Sequence, residues 1–64
     1  MEPPRDYYYF TGETVDGDLI SFESMEPITE EFARWKAYDA IRPYGGHIDA
    51  WYADTDDFAF DVEV

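Results

Sequence analysis

No cysteine occurs in this chain, so neither a disulfide framework nor a thiolate metal site can be built, and a reducing compartment poses no difficulty. Basic residues are nearly as scarce: Arg5, Arg34, Lys36 and Arg42 are the only ones. A domain so poor in cations is ill suited to hold DNA, RNA or an anionic membrane, which excludes direct nucleic-acid binding as a leading function. No stretch approaches the roughly 18 apolar residues of a membrane span. The start, Met1-Glu2-Pro3-Pro4-Arg5, lacks the basic-then-apolar order of a secretion signal, so a cytoplasmic location is expected. Glycine is sparse, and Gly45-Gly46 has no phosphate-cradling spacing around it, so no nucleotide cofactor is expected.

What the sequence does contain is acid and aromatic surface. Sixteen Asp and Glu give a formal charge of −12, yet 45% of residues are hydrophobic, including five Phe, six Tyr and two Trp. Charge alone would suggest disorder; the apolar content predicts a fold instead. With 64 residues the chain is read as a single domain, 1–64, in which 1–5 form a loose lead-in.

The segment Ile28 to Ile41 predicts the central helix. Thr29 can cap it, Glu30 and Glu31 suit the positive end of the helix dipole, and Arg42-Pro43 stops it. Steps of 100° gather Phe32, Ala33, Ala37, Ala40 and Ile41 on an inner face and put Trp35 and Tyr38 outside. Around this helix stand two hairpins. Tyr7 to Glu13 and Leu19 to Glu23 flank Val15-Asp16-Gly17, and His47 to Ala53 and Phe58 to Val64 flank Asp54-Thr55-Asp56-Asp57. The expected fold is α+β, in the order ββαββ: a four-stranded, mostly antiparallel sheet with the helix on one face.

Alternation at a period of two assigns the faces. Phe58, Phe60, Val62 and Val64 are expected inside, with Tyr8, Phe10, Ile20, Phe22, Ile48 and Ala50. Tyr7, Tyr9, Glu13, Glu23, Asp49 and Trp51 then look away from the helix. Strands one and three carry aromatics on both faces, so either could turn over.

Three constellations invite a functional reading. Asp16-Gly17-Asp18 and the Asp54 to Asp57 loop offer oxygens for a hard cation, but neither has the spacing of a calcium loop, and turn chemistry accounts for both. His47 and Asp49 would share a strand face, as an acid–base pair must. A catalytic pocket is hard to build in so small a domain, and the expectation is a protein that is not an enzyme, without metal or cofactor. The third is the acidic segment Asp49 to Val64, with Asp49, Asp54, Asp56, Asp57, Asp61 and Glu63 and no Lys or Arg. Solubility explains many charge runs, yet outside the helical stretch only Arg5 opposes thirteen carboxylates. A sheet spaces side chains about 6.6 Å apart along a strand and about 4.8 Å across strands, so it can set carboxylates in rows much as a backbone sets phosphates. Arg and Lys engage both groups alike.

The expected binding surface therefore comprises Asp49, Trp51, Asp54, Asp56, Asp57, Asp61, Glu63, Tyr7 and Tyr9, in which aromatic rings can receive guanidinium groups. Its partner is an Arg- and Lys-rich surface of a nucleic-acid-handling protein. In size and composition the chain resembles the small acidic proteins, often phage-encoded, that imitate DNA to block restriction or CRISPR complexes. That resemblance implies an anti-restriction or anti-CRISPR type of inhibitor, and it carries no residue assignments. Two other classes compete: an immunity protein or regulatory interaction module that binds through its aromatics, and a small domain adapted to high salt. The sequence leaves monomer and dimer both open.

Overall fold

The computed structural model describes residues 3–64; Met1 and Glu2, the first part of the expected lead-in, lie outside the described residues. Four strands and one helix follow in the order β1 (Tyr8–Thr14), β2 (Leu19–Glu23), α1 (Glu30–Ile41), β3 (Gly46–Tyr52), β4 (Phe58–Glu63). The sheet runs β2-β1-β3-β4 and every neighbouring pair is antiparallel. This is the ββαββ α+β domain that the periodicity predicts.

Local chemistry explains each junction. In the first hairpin Gly17 takes φ 90°, and the Thr14 hydroxyl, partly withdrawn from solvent, accepts from the Asp18 N–H at 3.0 Å. The Thr29 hydroxyl accepts from the Phe32 N–H at 3.1 Å and closes the first helical turn. At the other end the N–H groups of Tyr44 and Gly45 both donate to the Ile41 carbonyl. Gly45 and Gly46 then turn the chain at φ 76° and 129°, angles that side chains resist.

The helix packs chiefly over β3 and β4, through Ala33, Ala37 and Ile41, all fully buried. Two alanines in this stripe bring the helix axis close to the sheet. Beneath it lie Tyr8, Phe10, Ile48, Ala50 and Phe60, with Ile20, Phe22, Tyr52 and Val62 packed at the margin. Pairing of β1 with β3 sets Tyr8 against Tyr52, ring centres 5.3 Å apart, and Phe10 stacks on Phe22 at 4.6 Å. These aromatic contacts add to the area they bury.

Three expected core positions are not core. Phe32 is 51% exposed: the buried stripe is narrow, and Phe32, one step of 100° before Ala33, falls on its rim with the Lys36 ammonium 5.5 Å from its ring centre. Phe58 is also half exposed. Register slips between Ala50 and Trp51, so that Ala50 faces Phe60 but Trp51 faces Phe58. This bulge turns Phe58 to the side opposite the helix. Val64 follows the last strand residue and stays half exposed, although its backbone exchanges two hydrogen bonds with Gly46.

Candidate binding face

One face of the sheet carries the helix and the other carries none, and the register of the four strands spells out the open face. Three cross-strand rows result, in the order β2, β1, β3, β4: Glu23, Tyr9, Trp51, Phe58; then Ser21, Thr11, Asp49, Asp61; then Leu19, Glu13, His47, Glu63. Five of these positions are carboxylates, one is histidine, and none is Lys or Arg.

The first row is aromatic. Trp51 and Phe58 meet edge to face at 5.2 Å, the Trp51 indole N–H donates to Thr11 Oγ1 at 3.3 Å, and the Tyr9 hydroxyl lies 3.2 Å from Ser21 Oγ. These bonds hold the Tyr9 and Trp51 rings against the sheet. Tyr9, Thr11, Trp51 and Asp56 line a shallow open hollow of about 310 Å³. Asp56 reaches this face because the β3–β4 turn holds it at φ 61°, with its N–H donating to the Tyr52 carbonyl at 2.8 Å.

The second and third rows are acidic. Asp49 stands directly opposite Asp61, and His47 stands between Glu13 and Glu63. Carboxylates facing each other across antiparallel strands repel. His47 shares a face with Asp49, and its side chain is exposed. Among the described residues no group of three or more His, Asp or Glu gathers closely enough to hold a metal ion.

The cations lie elsewhere. Arg34 Nε pairs with Glu30 at 3.3 Å while its guanidinium covers the Phe60 ring at 4.5 Å, and Arg42 sits 5.8 Å from the Tyr38 ring centre. Lys36 covers Phe32, as described above, and Arg5 lines a hollow with Glu26, Ile28 and Phe32. All four belong to the helix side or its approach, where Glu26, Glu30, Glu31 and Asp39 also lie, so the open face alone is without Lys or Arg.

The sequence-derived residues therefore divide. Asp49, Trp51, Asp61, Glu63 and Tyr9 come together on the open face, with Asp56 at its edge. Asp54 and Asp57 are exposed in the turn beyond it, where the Asp57 N–H donates to Thr55 Oγ1 at 3.4 Å. Tyr7 precedes β1, 45% exposed, its carbonyl accepting from the Ala53 N–H. Glu13 and His47 in the third row and Glu23 at the end of the first complete the open face although the acid-rich segment alone does not mark them; the period-two alternation in strands one, two and three was the available signal. Phe58 had no such signal, because the bulge reverses its side. Compared with known protein families, curated proteins and solved structures, the chain finds no significant match in any of the three.

Proposed function

We propose that this domain is a non-catalytic binding protein whose open sheet face imitates the phosphate rows of a nucleic acid and occupies a basic groove on a nucleic-acid-handling protein. An inhibitor of the anti-restriction or anti-CRISPR type, encoded by a phage, would have this character. The observation that supports the reading is the register: Glu13, Glu23, Asp49, Asp61 and Glu63 share one face from which every cation is missing. Holding Asp49 against Asp61 costs stability, and a ligand supplying Arg or Lys would relieve that cost on binding.

A second reading is favoured by the row Tyr9, Trp51, Phe58. Trp and Tyr concentrate binding energy at interfaces, so the domain would then be an interaction module in which charge only steers the encounter.

The two separate on one comparison. The triple variant Asp49→Asn, Asp61→Asn, Glu63→Gln and the single variant Trp51→Ala are each checked for an intact fold and then titrated against the partner over a range of salt. Phosphate imitation requires the triple variant to associate more slowly, with a shallower salt dependence, and to stop competing with nucleic acid. If the triple variant competes like the parent while Trp51→Ala abolishes binding, the interaction module replaces it.

A further inference from the structure

Strand β4 ends the sheet, and among the described residues its outer edge has no partner strand. Val64 and Gly46 exchange both of their backbone hydrogen bonds, so by antiparallel alternation Val62 and Phe60 also bond inward to β3. The N–H and C=O groups of Asp61 and Glu63 therefore face out of the sheet. Side chains and backbone coincide here, because Asp61 and Glu63 are also the two carboxylates that β4 contributes to the open face. On the other face, beside the same edge, Val62 forms with Glu31, Arg34, Trp35 and Tyr38 an open hollow of about 370 Å³. Trp35 is 58% exposed and meets Tyr38 edge to face at 5.8 Å.

We infer that the β4 edge docks an extended segment of the partner as a fifth strand, one that alternates basic and apolar residues. This rests on the reading of the acidic face given above and names the element that would reach it. Residues of the incoming strand opposite Asp61 and Glu63 share their face, where Arg or Lys meets two carboxylates. Residues opposite Val62 point to the helix side, where an apolar side chain enters the Trp35–Tyr38 hollow. Main-chain bonds supply affinity and the alternation supplies specificity, as in other cases of strand addition.

Charge decides against two alternatives. A second copy pairing through β4 would bring Asp61 and Glu63 beside their own equivalents, between chains of −12 each. The other edge, β2, offers the open face only Glu23, with Leu19 and Ser21, and so gives a basic strand one carboxylate rather than two.

The test uses the whole chain and three synthetic peptides: one alternating Arg and Val, one of the same sequence N-methylated at the residues whose N–H would face β4, and one with the same residues shuffled out of alternation. The alternating peptide should bind and slow hydrogen exchange at the Asp61 and Glu63 amides, with the other two peptides about tenfold weaker or worse. Trp35→Ala, a change at an exposed position, should weaken the alternating peptide several-fold. Equal binding of the methylated peptide, no binding of the alternating one, or exchange that slows at other strands and not at Asp61 and Glu63 overturns the inference. A protein that fails here yet competes with nucleic acid through the open face loses the docking edge alone. One that protects the edge but never competes loses phosphate imitation.

Discussion

Asp49 and Asp61 face each other across β3 and β4 on the side of the sheet that carries no helix, and no Lys or Arg shares that side. Like charges directly opposite on a strand pair oppose folding by a few tenths to about 1 kcal/mol. Either Asp49→Asn or Asp61→Asn should therefore raise the denaturation midpoint, and the double change should gain less than the two singles added. The coupling should shrink as salt is raised, because screening acts on the same repulsion. Destabilisation by either single change would show that the pair is compensated within the fold.

Phe60 and Phe32 separate the real core from its rim. Phe60 is buried under the Arg34 guanidinium, so Phe60→Ala should cost about 3–5 kcal/mol, enough to unfold a domain of ordinary stability. Phe32→Ala, at a half-exposed position, should cost about 1 kcal/mol or less. Thermal melts of the two variants check this, and comparable losses would contradict the exposed placement of Phe32.

Gly12 lies opposite Ile48 on the face toward the helix, and a methyl group placed there would run into the His47 carbonyl and the Ile48 Cα. Backbone atoms of a central strand cannot move aside cheaply. Gly12→Ala should cost about 1–3 kcal/mol through forced separation of β1 and β3. Urea unfolding measures it, and a neutral result would mean that the two central strands are further apart than described.

Tyr8 gives the domain an alkaline limit. Burial first, then the neighbouring Tyr52, Asp6 and Glu30, push its hydroxyl up to about 12. An unfolded tyrosine titrates near 10. Its folded pKa is raised, so this contribution is whole below about pH 10 and is lost as pH climbs through about 12, where the unfolded chain releases a proton that the folded chain retains. Tyr8→Phe should flatten the fall in unfolding free energy between about pH 9 and about pH 12; an equally steep fall in the variant would place the sensitivity elsewhere.

How much of this was legible in the sequence follows from the range of the interactions involved. The helix from Thr29 to Ile41 depends on a cap, a dipole-matched first turn and a proline stop, all within one short segment. Hairpins depend on adjacent residues too, which is why Gly17 and the Asp54 to Asp57 turn marked them. The alternation that put Tyr9, Trp51 and Asp49 on one face and Tyr8, Phe10 and Ala50 on the other is equally local, since backbone geometry alone sends successive side chains to opposite sides.

By itself, then, the sequence determined the element order, the division of each strand's side chains into two alternating sets and the acidity of the whole. Tertiary structure decided which carboxylates became neighbours. Pairing of β1 with β3 across the helical connection placed Glu13 beside His47, and a single extra residue in β4 turned Phe58 out to meet Trp51 while Phe60 stayed in the core. Those outcomes depend on strand order and register, which are set by how closely whole elements pack, at Gly12 and under Ala33 and Ala37. Packing of that kind compares residues far apart in the chain, and no short-range pattern encodes it.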